Sequence, residues 1–172
     1  MHLNVEFKAR CPDLERVKAI LQREGAEYKG RDPQVDVYFN VPHGRLKLRK
    51  GTIENSLIGY LRGDYAGAKE SKVGLFTTVP GSPLEAILTN ALGVKVTVTK
   101  ERDIYFIDNV KFHVDQVAEL GSFIEVEAID SDGTIGRERL QQQCARYRAL
   151  LGVKDSDLIA VSYSDMLLAQ KK

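Results

Sequence analysis

The sequence predicts an α+β protein built on a closed antiparallel β-barrel of about eight strands, with helices around it. Three observations point there. Seven to nine short strand-like segments are separated by turn residues. Few helical stretches interrupt them. Several strands are apolar on one side and fully charged on the other. A barrel with a polar interior, its apolar outer face covered by helices, satisfies all three. An open sheet with one solvated face also satisfies them at this level.

The elements follow in chain order. Residues 3–10 alternate and predict a first strand. Pro12 opens a helix in which Leu14, Val17, Ile20 and Leu21 form one apolar stripe, and Gly25 ends it. Strands are predicted at residues 35–41, 45–50, 56–62 and 72–79, separated by Pro42-His43-Gly44, Gly51 and Gly63-Asp64. Ser82-Pro83-Leu84-Glu85 predicts a capped helix start: Ser82 as the cap, Pro83 in the first position and Glu85 completing a capping box. That helix should end near Gly93. Strands follow at 94–101, at 104–115 with a turn at Asp108-Asn109, and at 123–129. Helices are predicted at 135–151, ended by Gly152, and at 157–169. With no internal repeat and no linker-like stretch, residues 1–172 read as one domain.

The 25 Lys+Arg and 24 Asp+Glu leave a net charge of +1, which argues against a broad nucleic-acid-binding surface. No apolar run approaches the ~20 residues that span a bilayer, and charge at Glu6 and Lys8 interrupts any signal-peptide core. Cys11 and Cys144 are far apart with no CxxC, so neither a disulfide scaffold nor a cysteine metal site is expected. Neither has an evident basic partner that would make it a nucleophile. A cytoplasmic protein with reduced thiols is the expectation.

The arrangement of the charges is more informative than their sum. Side chains alternate faces along a strand. Glu6, Lys8 and Arg10 share one face; so do Arg45, Lys47 and Arg49; so do Tyr60 and Arg62, Lys100 and Arg102, His113 and Asp115, and Glu125 and Glu127. One strand is wholly basic and another wholly acidic. Like charges at i and i+2 repel, and such segregation is costly unless a ligand or metal compensates. Basic strands suit a multiply charged anion. Carboxylates suit a hard cation such as Mg²⁺ or Mn²⁺. Together they describe a metal-bound polyphosphate. The stretch from Gly63 to Lys69 lacks P-loop spacing, so side chains rather than a backbone nest would hold the phosphates.

These residues, in this order, resemble the CYTH superfamily, the triphosphate tunnel metalloenzymes, over nearly the whole chain. The resemblance is carried by Asn4-Val5-Glu6-Phe7-Lys8, by 44–49 (Gly44 to Arg49), by 57–62 (Leu57 to Arg62), by 98–102 (Val98 to Arg102) and by 115–127 (Asp115 to Glu127). The segment 162–167, Ser162 to Leu167, looks like the ending of the class IV adenylate cyclase-like branch. The resemblance implies a barrel of about eight strands. It implies a triphosphate clamp of Lys8, Arg45, Lys47, Arg49, Arg62, Lys100 and Arg102, among which Lys8, Arg62, Lys100 and Arg102 are the catalytic candidates. It implies metal ligands Glu6, Glu125 and Glu127, with Asp115 as a possible extra one, for Mg²⁺ or Mn²⁺. Lys69 and Ser71 are further candidates for the phosphate region. The departure is Asn4, where the family motif has a carboxylate; a neutral oxygen should weaken one of two cations more than the other.

The implied activity is metal-dependent chemistry on a triphosphate such as ATP or tripolyphosphate, with class IV adenylate cyclase-like conversion of ATP to cyclic AMP and pyrophosphate placed first. The alternatives are a tripolyphosphatase or organic triphosphatase, and a polyphosphate- or nucleotide-binding module without turnover. A homodimer is implied by the resemblance alone; neither nucleic acid nor a membrane is expected as partner. The absence of Trp disfavours a thiamine triphosphatase of the animal type. Tyr60, Tyr65 and Phe76 could stack on a base or pack in the core. His113 could make a structural hydrogen bond or shuttle a proton, while His2 and His43 should face solvent.

Overall fold

The computed structural model describes residues 1–63 and 66–172. Eight strands close into a barrel: β1 (His2–Arg10), β2 (Glu27–Phe39), β3 (Arg45–Lys50), β4 (Asn55–Arg62), β5 (Lys69–Thr77), β6 (Val94–Ile107), β7 (Val110–Val117) and β8 (Gly121–Asp130). Their order around the barrel is β1-β5-β4-β3-β2-β6-β7-β8, and every pairing is antiparallel. The closed alternative was therefore the right one of the two architectures. No helix among the described residues is long and apolar enough to cross a membrane.

The hydrophobic core lies outside the barrel wall. Val5, Phe7 and Ala9 of β1, Phe112 and Val114 of β7, and Ile124, Val126 and Ala128 of β8 point outward. They are covered by α1 (Leu14–Arg23) and α3 (Arg137–Leu150), which bury Val17, Ile20 and Leu21 and Leu140, Cys144 and Tyr147. Each buried Val, Leu, Ile or Phe among them contributes about 1.5–3 kcal/mol relative to exposure. Because alternate residues face opposite ways, this outer core forces Glu6, Lys8, His113, Glu125 and Glu127 inward. A second patch, Val37, Phe39 and Leu48, is covered by α2 (Leu84–Leu92). The last helix, α4 (Tyr163–Gln170), instead seals one end of the barrel: Tyr163 and Leu167 pack with Tyr38, Val96, Val98, Val117 and Phe123.

Some local expectations are corrected. β2 is 13 residues long and begins well before Val35, because its first half pairs with the extended β6 rather than with β3. A register shift between Tyr28 and Gly30 bends it there, and Gly30 takes φ +121. The segments 94–101 and 104–107 are one strand. The capping box at Ser82 does not form: Pro83 is the N-cap residue and no side chain caps α2. Glu85 binds Lys50 of β3 at 2.7 Å instead. The helix expected at 157–169 is a 3-10 turn, Asp155–Asp157, an extended stretch, and then α4, whose Ser162 and Asp165 form the capping box. The turn expected at Gly63-Asp64 and the stacking role for Tyr65 involve residues 64 and 65, which lie outside the described residues.

Candidate active site

The inward residues enclose a chamber of about 250 Å³. At the sealed end, the Tyr163 ring packs on Phe123 with 5.1 Å between centroids, and its hydroxyl donates to Asp115 at 2.8 Å. The Lys8 ammonium sits over the same ring at 3.9 Å. At the other end His2, Leu75, Phe106 and Ile129 line the wall, and half-exposed Leu75 marks an opening to solvent.

Of the expected clamp residues, Lys8, Lys47, Arg49, Arg62, Lys100 and Arg102 all line this chamber, as does Ser71. Arg45 does not; it binds Asp165 of α4 at 2.7 Å and belongs to the seal. Buried Lys69 donates to the Ala160 carbonyl in the segment before α4. Arg10 lies outside, over the Phe123 ring at 5.0 Å. Tyr60 lines the chamber with its hydroxyl 3.5 Å from that of Tyr38, whereas Phe76 is exposed on the outer face, away from both chamber and core. His2 is half-buried at the mouth rather than in solvent.

Three carboxylates organise the basic wall, Asp36, Asp115 and Glu54, and two of them, Asp36 and Glu54, lie outside the motif. Asp36 of β2 takes Arg49 through two bonds of 2.9 Å, Lys100 at 2.8 Å and Lys47 at 3.2 Å. Burial alone would raise its pKa, but the Arg49, Lys100 and Lys47 charges outweigh it and hold the carboxyl well below the usual range. Lys100, by contrast, is pushed down to about 7 by burial, with Asp36 opposing and the neighbouring Arg102, Arg49 and Lys47 charges adding to the fall. Asp115 is held bidentate by Arg102 at 2.7 and 2.8 Å, and so turns to the basic set rather than to Glu125 and Glu127. Glu54 reaches in from the turn between β3 and β4, binding Lys111 and, at 3.3 Å, Arg49. That turn is pinned by Asp32, whose carboxylate accepts the amides of Thr52, Ile53 and Glu54 at 2.6–2.9 Å. Gly51 leaves the space, since a Cβ there would come within 2.6 Å of both Asp32 oxygens. Asp36 carried a signal in the sequence, because it alternates with Val35 and Val37; Glu54 in a turn carried none.

The acidic wall is arranged differently. Glu6 and Glu127 are register partners across β1 and β8, and Lys8 faces Glu125 at 3.2 Å. Arg62 binds Glu6 at 2.8 Å, yet its Nε and Nη2 are buried with no hydrogen-bond partner. Glu125 also meets His113 Nδ1 at 2.9 Å. Burial would raise Glu125, but Lys8, His113 and Arg102 keep it well below its ordinary value. Glu127 goes the other way, pushed up to about 7 by burial and by the Glu6 and Glu125 charges. The Asn4 Oδ1 is buried without a partner two residues from Glu6. Crowded carboxylates with orphaned oxygen and nitrogen atoms beside them suit a divalent cation and a bound anion. Glu6, Glu125 and Glu127, with the neutral Asn4 oxygen at the edge, are the residues that could hold the cation.

Comparison with known proteins agrees with this geometry. The CYTH domain profile matches residues 2–163. No curated protein matches the sequence. Among solved structures, the PH1012 protein of Pyrococcus horikoshii is 26% identical, with a TM-score of 0.76 over 96% of this chain and 98% of its own. A proposed adenylate cyclase of Vibrio parahaemolyticus is 18% identical, with a TM-score of 0.76 over 96% and 98% of the two chains. A Hippeastrum protein first proposed as an adenylyl cyclase, and described as having a dominant triphosphatase activity, is 10% identical, with a TM-score of 0.63 over 99% and 96%. These two share the fold. With the profile covering almost its full length, the chain belongs to the CYTH domain family.

Proposed function

We propose that the protein is a divalent-metal-dependent enzyme acting on a triphosphate, and that cleavage of the phosphate chain by water is its reaction. One observation carries the reading: a single enclosed chamber joins a wall of Lys47, Arg49, Lys100 and Arg102 to a wall of Glu6, Glu125 and Glu127, with Lys8 and Arg62 between them. The volume of about 250 Å³ favours hydrolysis. It lies below the ~300–1,000 Å³ of sites that enclose drug-sized ligands. In this reading a triphosphate chain lies within it and a nucleoside remains at the mouth. The family resemblance places the cyclase reaction first; the small chamber supports placing hydrolysis first instead.

In this reading the Arg forks and Lys ammoniums grip the non-bridging phosphate oxygens and offset the charge that builds on them as a phosphoryl group leaves. Arg62 is placed to do so, having two unpartnered N–H-bearing atoms in the buried wall. Tyr163 and α4 close the far end, which fixes how deep the chain enters and limits bulk water there. A divalent cation held by Glu6, Glu125 and Glu127 would supply further charge neutralisation at the phosphate oxygens.

Cyclisation of ATP is the second reading. It is favoured by the apolar mouth, Ile58, Val73, Leu75, Phe106 and Ile129, which could take a nucleoside. Incubation with tripolyphosphate and with ATP, each with Mg²⁺ or Mn²⁺, separates the two. Orthophosphate release is expected. Cyclic AMP with pyrophosphate would establish the second reading, and tight binding with neither product would leave a binding module.

A further inference from the structure

His113 is the one nitrogen donor in the acidic wall among the described residues that offers a metal-ligating atom close to the carboxylates. It faces Glu125 directly across the β7–β8 pairing, and Glu127 lies two residues further along the same face. One ligating atom from each of the three lies within 4.8 Å of the others. The nearest edges are His113 Nδ1 to Glu125 at 2.9 Å and to Glu127 at 3.8 Å. An ionised carboxylate can only accept a hydrogen bond, so in the neutral ring Nδ1 carries the hydrogen that Glu125 receives. His113 Nδ1 is also the ring atom nearest both carboxylates, so its hydrogen lies where a cation would sit. A cation there would displace that hydrogen to Nε2, which has no partner in a ring that is 2% exposed and lines the chamber, and would take the Nδ1 lone pair beside Glu125 and Glu127.

We propose that His113 supplies an imidazole nitrogen to the cation held by Glu125 and Glu127, so that the site is a mixed nitrogen–oxygen site that favours Mn²⁺ over Mg²⁺. Mg²⁺ prefers an all-oxygen shell, whereas imidazole suits first-row transition ions. The inference rests on the reading of the acidic wall as a cation site.

Pulsed electron paramagnetic resonance on the full chain loaded with Mn²⁺ tests it, because a directly bound imidazole couples its ¹⁴N nucleus to the electron spin. Coupling is expected in the unaltered protein and lost in His113→Gln. Calorimetric titration should show Mn²⁺ affinity falling at least about tenfold in that variant, with Mg²⁺ affinity much less affected. Mn²⁺ bound without nitrogen coupling overturns the inference, and that reading needs no variant to fold. Equal weakening of Mn²⁺ and Mg²⁺ also overturns it, and reduces His113 to positioning Glu125. Turnover of tripolyphosphate with Mg²⁺ but no nitrogen coupling sinks this inference alone. Failure of the unaltered protein to bind any divalent cation sinks the proposed function with it.

Discussion

The two walls of the chamber treat their charges oppositely. In the basic wall each cation already has a carboxylate: Asp36 gathers Lys47, Arg49 and Lys100, Asp115 holds Arg102, and Glu54 holds Lys111. In the acidic wall Glu6, Glu125 and Glu127 crowd together: Arg62 binds Glu6, Lys8 and Arg102 bind Glu125, and Glu127 is pushed up by burial and the Glu6 and Glu125 charges. The first wall is organised without a ligand; the second is not. A phosphate entering the basic wall must share or replace countercharges that are already in place, while a cation entering the acidic wall relieves repulsion. The anion and the cation are therefore expected to bind together, the cation offsetting the added negative charge.

The largest test of this contrast is Asp36→Ala. Removing one partner of a buried ionic cluster leaves uncompensated charge, a loss of about 3–5 kcal/mol. For a chain of this size that lowers the melting temperature by roughly 6–20 °C. The same carboxylate has a pH signature. Its native pKa lies well below the unfolded value of 3.8, so its contribution is complete above that value and is lost as pH falls through the native one. Urea midpoints measured from pH 7 to pH 3 should fall at the acid end, and Asp36→Asn should flatten that fall. An unchanged profile in Asp36→Asn would mean that the basic wall does not depend on Asp36.

Glu127→Gln should do the reverse. Relief of like-charge crowding is worth on the order of 1 kcal/mol, a rise of about 2–4 °C without divalent cation. The added stabilisation that Mn²⁺ or Mg²⁺ gives the unaltered protein should shrink, since only a ligand bound to the native state shifts the transition. A fall in melting temperature in the metal-free variant would show that the acidic wall is as well satisfied as the basic one.

The contrast also shows what could be seen in the sequence. Strand parity correctly turned Lys47 and Arg49, Lys100 and Arg102, and Glu125 and Glu127 inward: Leu48 and Val126, between the first and last pairs, pack under the helices, while Glu101, between Lys100 and Arg102, is exposed. Parity also placed Arg45 and Arg10 inward, and at the barrel ends it stopped applying: there the C-terminal segment claims Arg45 through Asp165. The repulsion argument took the basic face as a sign of a missing anion. The structure supplies the countercharges instead, from Asp36 on the neighbouring strand β2 and from Glu54 in a turn. Such pairings depend on the β2–β3–β6 register and on the Asp32-pinned turn, which no local pattern encodes. The support for a ligand thus shifts from repulsion to the chamber itself and to the orphaned atoms of Asn4, Arg62 and His113.

Asn4 offers the finest test, because it sits at the edge of the acidic wall as a neutral oxygen among carboxylates. Asn4→Asp adds a charge with almost no change in volume. Without cation the variant should melt slightly lower, by no more than a few degrees, since the new carboxylate joins Glu6 and Glu127 with no added partner. With Mn²⁺ or Mg²⁺ the order should invert: affinity rises several-fold by calorimetry, and the variant gains more stabilisation than the unaltered protein. If instead the cation affinity is unchanged, the Asn4 oxygen lies outside the cation's reach. Its unpartnered state would then reflect only the strand register that buries it between Ser71 and Ile129.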